Sequence, residues 1–193
     1  MSTRNTASSP TVLISRSRVE ERVAELAEEI NRDYADTDLL VCIGVLKGSV
    51  FFMVDLLKQV EVPVAVDFFQ TSSYVGTSAR GEVRIRKDLD LFIRDRDVLL
   101  IEDIVDTGYT LRTILDLLRF RGAKSVKLCA LLDKFEAREV EVPIDYSGFQ
   151  IDNVFVVGYG LDFDERYRNL PFIGALADEN SQDSDSDHDH DSI

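Results

Sequence analysis

The sequence predicts an α/β domain with a mostly parallel central sheet and helices on both faces. Three observations carry that expectation. Short apolar-rich runs recur as strands, Leu39 to Gly44, Val98 to Ile101 and Ser125 to Leu132. Between them lie segments whose apolar residues repeat at helical spacing. Strands that alternate with helices fold into a parallel sheet covered on both sides.

In chain order, Met1 to Pro10 is polar and reads as a disordered arm without the apolar segment of a signal peptide. Ser17-Arg18-Val19-Glu20 has the form of a capping box, and Val19, Val23, Ala27 and Ile30, with Leu26, make one apolar helical face. The strand Leu39 to Gly44 leads through Val45-Leu46-Lys47-Gly48-Ser49 into a helix from Val50 to Val60, using Phe52, Leu56 and Leu57. Val64 to Phe69 is a second strand. Residues 70–81 form a long polar loop, and the alternation from Glu82 to Arg86 implies that it closes a hairpin. After Val98 to Ile101, a helix places Leu111, Ile114, Leu115 and Leu118 on one side and stops at Gly122. Phe155 to Asp162 reads as a strand broken at glycines, and Phe172 to Leu176 as a last short strand.

Charge and composition exclude several functions. The net charge is −14, and residues 178–193 carry seven acids with no Lys or Arg, so nucleic acid is not the expected partner. No apolar run is long enough to span a bilayer. Cys42 and Cys129 fall in buried strands and read as free thiols, which suits a reducing cytoplasm. The only histidines, His188 and His190, lie in the acidic tail, so the body holds neither a Ser-His-Asp triad nor a His-based zinc site. The tail itself reads as a solvated, disordered segment.

The most informative stretch is Val98-Leu-Leu-Ile-Glu-Asp-Ile-Val-Asp-Thr-Gly-Tyr-Thr110. A buried strand ends in two adjacent acids, Glu102 and Asp103, and a small Gly-containing turn opens a helix. Such a turn directs backbone N–H groups at one point, and the helix dipole adds positive potential, which makes a phosphate cradle. Two carboxylates beside it would repel that phosphate unless a divalent cation or sugar hydroxyls stood between. A ligand with phosphate, vicinal hydroxyls and bound Mg²⁺ meets both demands. A flavodoxin-like acidic pocket, or a nucleotide site whose acids hold Mg²⁺, fits the same strand, although Gly-x-x-x-x-Gly-Lys-Ser/Thr and Gly-x-Gly-x-x-Gly are both absent.

This pattern resembles the phosphoribosyl-pyrophosphate motif of the type I phosphoribosyltransferases, and the resemblance runs over residues 12–176 toward the members that use 6-oxopurines. It implies that family's fold, with a small hood built from the chain ends, and domain limits of 11–177 between the arm and the tail. Leu46-Lys47-Gly48 resembles the family's pyrophosphate loop, in which a non-proline cis peptide precedes the Lys. Ser73-Tyr74 resembles the lid over the reacting centre, and Lys134 the Lys that meets the purine 6-oxo group. Phe155 to Asp162, followed by Arg168, resembles the purine-stacking segment with a second magnesium ligand.

By resemblance, then, Asp106, Thr107, Gly108, Tyr109 and Thr110 bind the 5′-phosphate, and Glu102 and Asp103 hold the ribose hydroxyls. Lys47, Gly48 and Arg168 bind pyrophosphate, while Lys134, Phe155, Val156 and Asp162 bind the purine. Glu102, Asp103 and Asp162 are the metal ligands, with Mg²⁺ as cofactor, and Asp106 and Lys134 are the catalytic pair. The implied substrates are phosphoribosyl pyrophosphate and a 6-oxopurine, and the implied assembly is a homodimer or homotetramer. A xanthine-preferring sibling and a ligand-sensing regulator on the same fold are the other readings.

Overall fold

The structure, a computed structural model, describes residues 9–73 and 83–176. The N-terminal arm up to Ser8, Tyr74 of the expected lid and the acidic tail lie outside the described residues. Six strands form the main sheet: β2 (Leu40–Leu46), β3 (Val64–Ser73), β4 (Val83–Lys87), β5 (Asp97–Val105), β6 (Ser125–Asp133) and β7 (Tyr146–Gln150). Their spatial order is β4-β3-β2-β5-β6-β7, with every neighbouring pair parallel except β3 and β4. The expected parallel sheet with one antiparallel hairpin is therefore present.

The apolar runs are explained by two-sided burial. Along β2, Leu40 and Cys42 face one layer while Val41, Ile43 and Val45 face the other. The first layer is closed by α1 (Arg16–Asp33), through Val19, Val23, Leu26 and Ile30, and by α2 (Val50–Leu57), through Phe52, Met53 and Leu56. The second is closed by α3 (Tyr109–Phe120), through Leu111, Ile114, Leu115 and Leu118. Cys42 and Cys129 are buried free thiols, as expected, and burial raises both pKa values, that of Cys42 to about 12. No described helix is long and apolar enough to cross a membrane.

The hood is a small antiparallel sheet of β1 (Thr11–Ile14), β9 (Ile173–Ala175) and β8 (Val156–Val157), in the order β1-β9-β8. It joins the two ends of the described chain. Its Val156, Tyr159, Leu161 and Ile173 share one apolar cluster with α1 and α2, so the hood has no separate core.

Several local expectations are corrected. The cap of α1 is Ser15, whose Oγ accepts from the Arg18 N–H at 3.4 Å, and not Ser17. Residues 70–73 are not loop: they continue β3 and pair with Arg84 and its neighbours on β4, and Ser73 of the expected lid thus begins as strand. Likewise β5 does not stop at Ile101 but runs through both acids to Val105, held by β6 along its length. α2 ends at Leu57, short of Val60. Both β1 and β7 went unanticipated. Arg22 of α1 donates to the Ser147 and Gly148 carbonyls at 2.7 and 3.2 Å and ties β7 to that helix.

Candidate active site

The carboxyl ends of β2, β5 and β6 lie side by side, and the hood loop 158–168 faces them. Ligand sites of open α/β sheets form at such an edge. From β5 the chain turns through Asp106 and Thr107 to Gly108, which is the N-cap of α3 at φ +93. Only Gly tolerates that conformation readily, and an added Cβ would also meet the Val140 carbonyl at 2.5 Å. The turn is braced from outside. The Glu139 and Val140 N–H groups both donate to the Thr107 carbonyl at 3.0 Å, and Arg138 Nε donates to the Asp106 carbonyl at 3.2 Å. No side chain caps α3, which leaves its first turn as an anion cradle with the Thr110 and Tyr109 backbone beside it.

The absence of a cap bears on Asp106. Its carboxylate makes no bond to the helix it precedes; its partner is Lys134, whose Nζ lies 3.9 Å from Oδ2. Lys134 follows β6, is only 8% exposed, and is anchored by its N–H to the Val105 carbonyl at 3.0 Å. A buried ammonium and a half-exposed carboxylate therefore meet at the edge of the sheet.

Glu102 and Asp103 stand near the C-terminal end of β5. Burial pushes Asp103 up to about 6, partly opposed by its bond from the Ile104 N–H and by the charge of Arg168. Burial, and the neighbouring Asp103, raise Glu102 well above its ordinary value. Glu102 Oε2 is buried without a hydrogen-bond donor, and across the site Arg168 Nε is buried without an acceptor. Orphaned groups of this kind call for a partner that the protein does not supply. Two adjacent carboxylates short of counter-charge suit a hard divalent cation that takes its other oxygens from substrate and water. Among the described residues no three metal-ligating side chains converge. The acids instead divide between β5 and the hood, where Asp162 Oδ1 pairs with Arg168 at 2.7 Å.

Opposite these acids, the Leu46-Lys47 peptide is cis, as the resemblance implied. Gly48 is packed between two structures: an added Cβ would sit 1.6 Å from Asp103 Oδ2, while a Cβ on Gly160 would sit 2.0 Å from the Gly48 carbonyl. Gly48→Ala should therefore push the loop off Asp103. A displacement of about 1 Å can cost roughly 10² in rate, so kcat/KM should fall by about that factor while the melting temperature changes little. Initial rates and thermal melts check this, and a near-normal rate would remove Gly48 from the site.

In the hood, Phe155 is half-exposed and stands edge-on to Phe163, with ring centroids 5.6 Å apart, while Val156 is buried in β8. Gly158, Tyr159 and Gly160 are all left-handed, and Tyr159 Oη donates to Asp55 of α2 at 2.9 Å. The loop then passes through left-handed Asp164, Glu165 and Tyr167, each costing about 1 kcal/mol or more for a residue with a side chain. Arg168 Nη1 donates to the Gly160 carbonyl at 2.7 Å. Sequence reasoning missed Glu165, whose carboxylate accepts from Lys47 Nζ at 2.9 Å and from Arg168 at 3.3 Å. It also missed the Arg138–Val140 brace.

Comparison with known proteins accords with this geometry. Residues 15–164 match the model of the phosphoribosyl transferase domain, and the chain belongs to that family. It is 49% identical to the hypoxanthine-guanine phosphoribosyltransferase of Bacillus subtilis, over 86% of this chain and 92% of that protein. It is 53% identical to a bifunctional protein TilS/HprT of Listeria monocytogenes over 87% of this chain, but spans only 26% of that longer relative. A crystal structure of a hypoxanthine phosphoribosyltransferase from Staphylococcus aureus superposes with a TM-score of 0.83 at 45% identity, covering 86% of this chain and 90% of that one.

Proposed function

We infer that the chain is a purine salvage enzyme that transfers 5-phosphoribose from phosphoribosyl pyrophosphate to N9 of a 6-oxopurine. Hypoxanthine, guanine or both are the bases, and IMP or GMP and pyrophosphate are the products. The observation that carries this reading is the Asp106–Lys134 pair set between an uncapped helix N-terminus and two cation-seeking acids. The relatives named for hypoxanthine-guanine phosphoribosyl transfer support the same class of substrate.

The roles are those the family resemblance implies, and the geometry is compatible with them. The backbone of Thr107 to Thr110 binds the 5′-phosphate, and Glu102 and Asp103 hold the ribose hydroxyls and face the positive charge that grows on the sugar. Lys47, Gly48 and Arg168 take the leaving pyrophosphate. Lys134 donates to the purine 6-oxo oxygen, Phe155 covers the ring, and the Val156 and Asp162 backbone meets its 2-position. Asp106 accepts the N7 proton as N9 attacks. Glu102 and Asp103, with Asp162, would hold Mg²⁺, which would supply neutralising charge to the leaving pyrophosphate. We place the enzyme in the cytoplasm as a homodimer or homotetramer.

Initial rates with hypoxanthine, guanine and xanthine at saturating phosphoribosyl pyrophosphate test this. Either of the first two should exceed xanthine by about tenfold or more, as expected where a site's polar groups would be left unpaired. Excess chelator should abolish turnover. If none of the three bases reacted, or the full rate survived chelation, the reading would fall. Xanthine as the fastest base would move the assignment to the xanthine-preferring sibling.

A further inference from the structure

Glu165 has no part in the reaction as derived above, yet it occupies the middle of the pyrophosphate subsite. Lys47 reaches it from the end of β2 and Arg168 from the hood, so the carboxylate bridges two cations brought from opposite walls. Without it Lys47 would lose its carboxylate partner, while Arg168 would keep its pair with Asp162 at 2.7 Å. The loop holds Glu165 there through two consecutive left-handed residues, Asp164 and Glu165. A further tie, from the Glu165 N–H to Asp162 Oδ2 at 2.9 Å, fixes its backbone to an expected metal ligand.

We propose that Glu165 is an internal counter-ion that competes with the pyrophosphate group for Lys47 and Arg168, and so weakens and sharpens diphosphate binding. The proposal rests on the phosphoribosyl transfer reading. A diphosphate offers more charge and more oxygens than one carboxylate and displaces it, whereas a monoanion does not. The ion pairs are exposed, with side-chain exposures of 54% for Lys47 and 65% for Glu165, so the barrier they set is low. Pyrophosphate, the product, is thereby held loosely enough to leave.

The test is calorimetric titration of the full chain with pyrophosphate in the presence of Mg²⁺, for the wild type, Glu165→Gln, Glu165→Ala and Glu165→Asp. Both neutral variants should bind pyrophosphate about three- to tenfold tighter. Their KM for phosphoribosyl pyrophosphate should fall by a similar factor, and Glu165→Asp, which keeps the charge, should stay closer to wild type. Had Glu165 only positioned Lys47 and Arg168, the neutral variants would bind more weakly and their KM would rise. Unchanged or weaker binding therefore overturns the proposal while leaving the enzyme reading intact. Failure of the wild type itself to bind pyrophosphate would overturn both.

Discussion

Asp106→Asn should lower kcat by about 10²–10⁴ while the dissociation constant for phosphoribosyl pyrophosphate moves by less than about tenfold. That loss corresponds to roughly 3–5 kcal/mol of barrier. The two quantities separate because the phosphate cradle is backbone, braced by Glu139 and Val140 at Thr107, and makes no use of the Asp106 carboxylate. Asn keeps the shape and can still accept from Lys134, but it cannot take a proton. Were the side chain a helix cap, Asn would replace it almost without effect. The structure favours the catalytic role, since that carboxylate makes no capping bond and faces Lys134 instead. Pre-steady-state rates and direct titration of the substrate would decide it. A kcat within threefold of wild type would remove Asp106 from proton transfer.

Asp103→Asn should make the ligand-free protein more stable and the enzyme much worse. Burial raises the Asp103 pKa to about 6 in the fold, against roughly 3.9 in an unfolded chain. The stability linked to this group is thus fully present below about pH 4 and is lost as pH rises through about 6. Above pH 6 the ionised carboxylate costs the fold; two units would amount to nearly 3 kcal/mol at most. The residue is only partly buried, so we expect a gain of about 1–2 kcal/mol in Asp103→Asn at pH 7.5, vanishing near pH 4. Over the same range Mg²⁺-dependent substrate binding should weaken by roughly 10–100-fold, the usual effect of damaging a metal's surroundings. Thermal melts across pH and titrations with and without Mg²⁺ measure both. A destabilised variant would show that Asp103 is a structural acid.

What the sequence discloses is the part written in local pattern. The runs at β2, β5 and β6 are continuous because both faces are covered, and the acids with the Gly turn declare their chemistry within thirteen residues. Other features have no local signature. Ser15 and Ser17 both suit a cap, and only the entry of the chain from β1 selects the first. Thr71-Ser72-Ser73 is polar because it pairs with β4 beyond the core, so apolar alternation fails where hydrogen bonding alone continues the strand. β7, Tyr-Ser-Gly-Phe-Gln, needs its Gly to approach the Leu131 carbonyl, where a Cβ would sit at 2.3 Å, and reads as a loop. Glu165 acts on Lys47 from 118 positions away, a relation that no spacing rule contains.

The shared core beneath the hood decides which side of the site can yield. Val156, Tyr159, Leu161 and Ile173 belong to the same cluster as the inner faces of α1 and α2. Swinging the hood outward would wet them, at roughly 1.5–3 kcal/mol for each large apolar side chain. That motion is as rare as a partial unfolding of the whole domain. The hood wall is therefore stationary, and on the proposed reading a base slides in along it like a card into a slot.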